Sequence, residues 1–143
     1  MFFANSNIDT EAEYEKRLAA ARQLAEAEGV RLITLAYDHA EWLREVAAGL
    51  EDAPENGARC QKCFRYNLAK TAEACGKLGL DAFATSLTVS PHKVSGMVFA
   101  ASDDPRFMKA DFKKREGFKA SLERAAELGL YRQNYCGCEF SKR

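Results

Sequence analysis

Residues 58–66 read Ala58-Arg59-Cys60-Gln61-Lys62-Cys63-Phe64-Arg65-Tyr66 and place two thiols three positions apart. The apolar spacing predicts a long helix from about Ala58 to Leu78, with both sulfurs on one face near its start. Unpaired backbone N–H groups and the positive end of the helix dipole favour a thiolate there. Because the thiolate is the form that binds metals and does redox chemistry, this stretch predicts a metal or redox site.

On either side of this helix the chain alternates between strand and helix patterns. Thr10 and Glu13 form a capping box, and Asp38 is a good N-cap for a second helix. Strands are predicted at 1–4, 30–37, 81–87 and 108–112, and further helices at 11–28, 39–48, 94–101 and 117–128. This order predicts an α/β fold with a parallel sheet and right-handed crossovers. The prediction is one domain, residues 1–143, that ends in a tail at 130–143.

Composition limits the class of protein. Lys and Arg total 21, as do Asp and Glu, so whole-chain charge gives no argument for a nucleic-acid partner. No apolar run approaches the roughly 18–20 residues that span a bilayer. The N-terminus shows no secretory signal pattern, so a cytoplasmic location is expected. In that compartment Cys-x-x-Cys indicates metal or redox work more often than a structural disulfide.

A second thiol pair, Cys136-Gly137-Cys138, lies in the tail. Two cysteines at this spacing can close a strained disulfide or supply two metal ligands. With the first pair they would complete a four-cysteine zinc site, which leaves a zinc-stabilised RNA-binding module without catalysis as a rival hypothesis. A thiol–disulfide oxidoreductase that cycles Cys60–Cys63 is a third. The tail is expected to bring its thiols towards the first pair, whereas Cys75 reads as a buried core residue.

Other polar residues allow two interpretations each. His92, beyond a predicted strand, is a candidate general acid or phosphate contact, or a loop histidine without function; His39 reads as a surface residue without a role. The run 111–115, with Lys113 and Lys114, is either an anion site for a phosphate backbone or a solvated charged face. Residues 131–135, with Arg132 between two tyrosines, would either hold a nucleobase or pack to fix the tail.

Several of these motifs together resemble one known family, the cobalamin-independent epoxyqueuosine reductases of the QueH type. The most specific are Arg59-Cys60-Gln61-Lys62-Cys63 and Tyr131-Arg132-Gln133-Asn134-Tyr135-Cys136-Gly137-Cys138. The resemblance extends over nearly the whole chain through Asn5-Ser6-Asn7-Ile8, Glu13-Tyr14, Arg17, Tyr37-Asp38, Glu41-Trp42, Pro54-Glu55, Thr71-Ala72, Asp81-Ala82-Phe83, Ser90-Pro91-His92-Lys93 and Asp111-Phe112-Lys113-Lys114.

The resemblance implies the last step of queuosine synthesis, reduction of the epoxide on a tRNA wobble-position base. It implies a [4Fe–4S] cluster with Cys60 and Cys63 among its ligands, a redox-active Cys136–Cys138 disulfide, and room for an additional mononuclear metal. The implied fold is Rossmann-like, of the adenine nucleotide alpha hydrolase kind. His92, Asp111 and Tyr135 are candidates for the acid that protonates the epoxide oxygen, and Lys113, Lys114 and Arg132 are candidate tRNA contacts.

The sequence departs from the family pattern in two places. Family members begin with a strand and an adjacent Cys-Cys pair, which would supply the other two cluster ligands, and this sequence lacks both. The segment from Phe99 to Pro105 is shorter than the pattern. We therefore expect the sequence to be an N-terminally incomplete version of the family fold.

Overall fold

The structure is a computed structural model that describes residues 1–142. These residues form two compact units, one made of Met1–Glu51 with the chain from Glu123 onward and the other of Asp52–Leu122. The prediction of a single domain stays a prediction. The described residues contain a two-stranded parallel sheet and five α-helices, so the α/β class is confirmed. Every helix within residues 1–142 is too short or too polar to cross a lipid bilayer.

Strands β1 (Phe2–Phe3) and β2 (Ile33–Thr34) pair in parallel in the first unit. Helix α1 (Glu11–Ala27) connects them and begins as predicted, because the Thr10 side chain accepts a hydrogen bond from the Glu13 N–H. Gly29 follows the helix end with φ of 64°, a left-handed conformation that glycine adopts at low cost. Tyr14 and Leu18 on α1 pack with Ile8 to form the core of this unit.

The predicted strand 30–37 is wrong in extent, because only Ile33 and Thr34 are paired. The partner segment limits the ladder: the Ile33 N–H donates to Met1 O and the Leu35 N–H to Phe3 O, and β1 then gives way to a turn. Without further ladder partners, Val30 and Leu35 remain 47% and 42% exposed. A strand pattern needs a neighbour to become a strand.

A second helix follows β2 in the first unit. Helix α2 (His39–Trp42) continues into a π-helical turn, Leu43–Ala47, and the Asp38 side chain accepts a hydrogen bond from the Glu41 N–H at 2.7 Å. Both the predicted helix and its cap are therefore confirmed. Trp42 and Val46, two of the predicted inner residues, are almost completely buried.

Helix α3 (Ala58–Lys77) is the longest element of the second unit and matches its predicted bounds within a residue. Its buried face carries Phe64, Leu68 and Cys75, which confirms the predicted stripe. These side chains pack with Phe83 and Phe107 from other parts of the same unit. Helices α4 (Ser95–Phe99) and α5 (Gly117–Glu127) also fall within their predicted ranges.

The two strands predicted in this unit, 81–87 and 108–112, are wrong. Residues 81–87 contribute one parallel bridge, Phe83 with Phe107, and Met108 follows that bridge without joining a strand. Beyond the bridge the chain forms a 3-10 turn, Ser86–Val89, in which the Thr85 side chain accepts a hydrogen bond from the Leu87 N–H. Such a local hydrogen bond gives the backbone an alternative to a sheet ladder.

Candidate functional site

The first thiol pair lies in the opening turns of α3. Gly57 is the N-cap, and a Cβ atom at that position would lie 2.9 Å from Pro54 O, so the loop approaches the helix start closely. Cys60 is the third helical residue and is 9% exposed, and Cys63 is half-buried one turn later. Cys60 therefore lies in the first turn, where the positive end of the helix dipole acts, and Cys63 lies in the second.

Each of these sulfurs accepts a hydrogen bond from an asparagine. The backbone N–H of Asn56 donates to Cys60 Sγ at 3.3 Å, and Asn67 Nδ2 donates to Cys63 Sγ at 3.4 Å and to Cys63 O at 3.1 Å. Asn56 holds its position in a left-handed conformation with φ of 61°. These hydrogen bonds orient both sulfurs, and hydrogen bonds to ligand sulfur are one of the factors that tune a bound iron–sulfur cluster.

Two cations are buried in the same unit, one beside Cys60 in the chain and one against α3. Arg59, directly before Cys60, is 3% exposed. Lys93 is buried as well, with its ammonium 3.5 Å from Glu55 and 5.8 Å from the ring centre of Phe64 on α3. Positive charge in a partly desolvated setting stabilises thiolate ligands.

The donor set at α3 therefore fits the cofactor that the sequence suggests. Thiolate ligands with N–H donors to sulfur are typical of iron–sulfur clusters and also suit zinc. Cys60 and Cys63 supply two of the four ligands that either would need. In the structure all five cysteines are free thiols, and Cys75 donates to Leu80 O inside the core, as a structural residue would.

The second thiol pair is held by backbone contacts in the first unit. Arg17 Nη1 donates to Cys136 O at 2.9 Å, and the Asp9 N–H donates to Gly137 O at 2.9 Å. The Ser141 hydroxyl donates to Cys138 O at 2.8 Å and accepts from the Gly137 N–H at 3.4 Å. Cys138 is 7% exposed and Cys136 is half-buried, so this part of the tail is a fixed turn.

Arg17 is itself oriented by a buried network. Its Nε donates to Glu13 Oε1 at 2.8 Å, and the Tyr131 hydroxyl donates to both Glu13 oxygens at 3.0 and 2.9 Å. Burial acts to raise the pKa of Glu13, but hydrogen bonds from Arg17 and Tyr131 outweigh it and lower the pKa below its usual range. The hydrogen bond to ionised Glu13, with burial, raises the pKa of Tyr131. Glu13 therefore stays charged and Tyr131 neutral at neutral pH.

Tyr135 also holds the tail in place, through contacts with Asp9 and Arg17. Its hydroxyl donates to Asp9 O at 3.1 Å, and the Arg17 guanidinium lies 4.9 Å from its ring centre. Of the two interpretations of residues 131–135, these contacts support packing that fixes the tail. Base stacking by these rings stays a prediction.

We expect Gly137→Ala to lower the free energy of unfolding by about 1–3 kcal/mol, because φ at this position is 141° and alanine is strained there. The added Cβ would also meet Arg17 and Asn7 side-chain nitrogens at 3.1 Å. Chemical denaturation measures the change. Gly96→Ala is the control, because a Cβ there meets nothing within 4 Å. Equal stability of the two variants would contradict the strained turn.

The other predicted site residues lie in both units. His92 in the second unit has an exposed side chain, while its backbone O accepts from Asn56 Nδ2 at 3.4 Å. Asp111 accepts from Lys113 Nζ at 3.3 Å, and Lys113 also bonds the Ser95 hydroxyl. Lys114 and, in the first unit, Arg132 are exposed.

Sequence reasoning missed four residues that hold the thiols or their surroundings. Asn56 and Asn67 donate to sulfur, and Arg17 holds the tail turn. The prediction that His39 is a surface residue was wrong, because its side chain is 15% exposed and both ring nitrogens lie within hydrogen-bond distance of a partner. The spacing of Asn67 four residues after Cys63 was the one local signal available.

The fold and these sites define an α/β protein with two cysteine pairs, one at a helix start and one in a turn that is held by hydrogen bonds. The family model described as "Epoxyqueuosine reductase QueH" matches residues 1–143, and the chain belongs to that family.

Relatives carry the same description. The chain is 38% identical to "Epoxyqueuosine reductase QueH" of Streptococcus pyogenes serotype M1, over 99% of this chain and 60% of that protein. It is 30% identical to the Staphylococcus epidermidis protein of that name, over 99% and 65%, and 33% identical to that of Thermotoga maritima, over 98% and 77%. The chain therefore spans about three fifths to three quarters of the length of these three relatives.

Proposed function

We propose that this chain acts in an epoxyqueuosine reductase, which converts the epoxide of epoxyqueuosine to the alkene of queuosine at the wobble position of tRNA. The observation that carries the proposal is family membership over residues 1–143 in a chain that holds both cysteine pairs. The relatives' printed names supply the reaction, and the geometry supports it through thiols that are oriented by hydrogen bonds.

The dithiol Cys136/Cys138 provides the electrons in this proposal. Removing the oxygen of an epoxide consumes two electrons and two protons, breaks both C–O bonds and releases water. Closing one disulfide from two thiols yields two electrons and two protons, so the exchange balances. A separate electron donor would have to reopen the disulfide.

Cys60 and Cys63 would hold the [4Fe–4S] cluster, together with two ligands from outside this pair. When bound, the cluster supplies one-electron transfer and Lewis-acid chemistry at iron. The residues of the chain do the rest: Asn56 and Asn67 donate to the two sulfurs and fix their direction. An additional mononuclear metal also remains a proposal.

We favour His92 as the proton donor among the three candidates. Burial acts to raise the pKa of Asp111, but hydrogen bonds from Ser95 and Lys113 lower it below its usual range, so this carboxyl is ionised at neutral pH. The Tyr135 hydroxyl is committed to Asp9 O. His92 has an exposed ring, and imidazole is the side chain most often used as a general acid.

Exposed cations would bind the tRNA backbone. Lys114 and Arg132 are exposed, and Lys113 is positioned by Asp111 and Ser95. Phosphate contacts of this kind add affinity without reading sequence. With a tRNA substrate the protein would act in the cytoplasm, and the parallel pairing of β1 and β2 across α1 is compatible with a Rossmann-like fold.

The test is incubation of the anaerobically prepared protein with tRNA that carries epoxyqueuosine, followed by nucleoside analysis. The account expects queuosine to form when a chemical reductant is present. The rival zinc-stabilised RNA-binding module predicts a colourless protein with one zinc ion and unchanged epoxyqueuosine. That result, obtained with protein that binds the tRNA, would overturn the proposal.

A further inference from the structure

Three oxygen- and nitrogen-bearing side chains converge in the first unit without any cysteine. Asp9 precedes α1, His39 begins α2, and Glu139 begins the 3-10 turn Glu139–Ser141. One ligand atom from each lies within 4.8 Å of the other two. Three separate segments of chain therefore bring an imidazole and two carboxylates to one point.

The hydrogen bonds of His39 determine which nitrogen faces the carboxylates. Nδ1 lies 2.7 Å from Ser6 O, and since a carbonyl oxygen only accepts, Nδ1 carries the proton. Nε2 faces Glu139 Oε1 at 3.2 Å, so either a proton on Nε2 or a bound cation would satisfy both atoms. A histidine that donates through one nitrogen to a backbone carbonyl is oriented as metal-ligating histidines are.

The surroundings hold these ligands in place. The His39 ring stacks on Trp42 at 5.4 Å and on Tyr37 at 6.3 Å between ring centres, so it has little freedom to turn. The second carboxylate oxygen of Glu139 is buried and has no hydrogen-bond partner within residues 1–142. Lys142 pairs with Oδ2 of Asp9, which leaves the cluster one negative charge in excess when His39 is neutral.

We propose that Asp9, His39 and Glu139 bind one divalent first-row transition-metal cation. Two carboxylates and one imidazole suit Mn²⁺, Fe²⁺ or Zn²⁺, and three protein ligands leave positions for water or for an oxygen ligand. The site uses no thiol and does not rest on the reductase assignment. Bound metal would fix the turn that directly follows Cys138.

Mn²⁺ titration followed by electron paramagnetic resonance tests the proposal, because Mn²⁺ prefers oxygen and nitrogen ligands to thiolates. The full chain is expected to remove the free Mn²⁺ signal with one ion per chain. His39→Gln and Glu139→Gln should each weaken binding about tenfold or more. Glu139→Gln is the decisive variant, because it keeps the shape of a partly exposed side chain while removing its charge.

Two controls make the outcome specific. Glu127→Gln removes an exposed carboxylate of the same unit, and Cys136→Ser removes a nearby thiol; both should bind Mn²⁺ like the parent chain. If the parent chain leaves the Mn²⁺ signal unchanged, His39 and Glu139 form only an ion pair and the proposal is overturned. Binding that survives Glu139→Gln, or that is lost in Cys136→Ser, would overturn it as well.

Discussion

Cys60→Ala and Cys63→Ala are each expected to remove the broad visible absorbance of the anaerobically prepared protein and to reduce queuosine formation to background. Both thiols lie in the first two turns of α3 and accept hydrogen bonds from Asn56 and Asn67. Replacing either cysteine by alanine removes a ligand and leaves the asparagine N–H that donated to its sulfur without that acceptor. Cys60 and Cys63 are two of the four proposed cluster ligands, so losing either leaves one thiolate of this pair, which is not expected to hold the cluster through purification.

Cys75→Ala is the matched control for this pair, because it removes a thiol from the same helix. Cys75 is buried in the core and donates to Leu80 O, so its loss should cost on the order of 1 kcal/mol in stability and leave the colour intact. Absorbance spectra and iron content measure the outcome. Colour that persists in Cys60→Ala, or disappears in Cys75→Ala, would show that the cluster is bound elsewhere.

Cys136→Ser is expected to stop turnover while the absorbance of the cluster remains. Serine keeps the size of the side chain and the backbone contacts of the turn, including the hydrogen bond from Arg17 to the carbonyl of residue 136. It cannot form a disulfide, so the two electrons that reduce the epoxide would be missing. Queuosine formed per protein, with iron content as the check on folding, measures the effect.

Tyr131→Phe separates the redox role of the tail from its attachment. This variant keeps both thiols and the ring but loses the hydrogen bonds to Glu13, so it should lower stability by about 1 kcal/mol and retain turnover. The redox assignment fails if Cys136→Ser keeps the activity of Tyr131→Phe.

Local signals in the sequence were sufficient for the helices. Thr10 and Asp38 cap α1 and α2 as their side chains predict, and Gly29 and Gly79 follow α1 and α3 with φ of 64° and 63°. These features depend on residues a few positions apart, which a single sequence displays directly. The positions of both cysteine pairs, at a helix start and in a tail, were predicted for the same reason.

Long-range contacts explain what was missed. The strand patterns at 30–37 and 81–87 were correct in residue type, but the extent of a strand depends on a partner far along the chain. Arg17 reaches Cys136 across 119 positions, and His39 reaches Glu139 across 100. No spacing rule connects such residues. The contact of Arg17 with the tail and the surroundings of His39 could therefore be found only in the structure. The meeting of the two thiol pairs stays a prediction.

A single-turnover experiment decides whether Cys136 and Cys138 supply the two electrons. Cluster-loaded protein is reduced, freed of reductant and incubated anaerobically with tRNA that carries epoxyqueuosine. The account predicts one queuosine per protein, the loss of two thiols, and a disulfide between Cys136 and Cys138 in the digested peptide. Queuosine formed while both of these cysteines remain free thiols would contradict it.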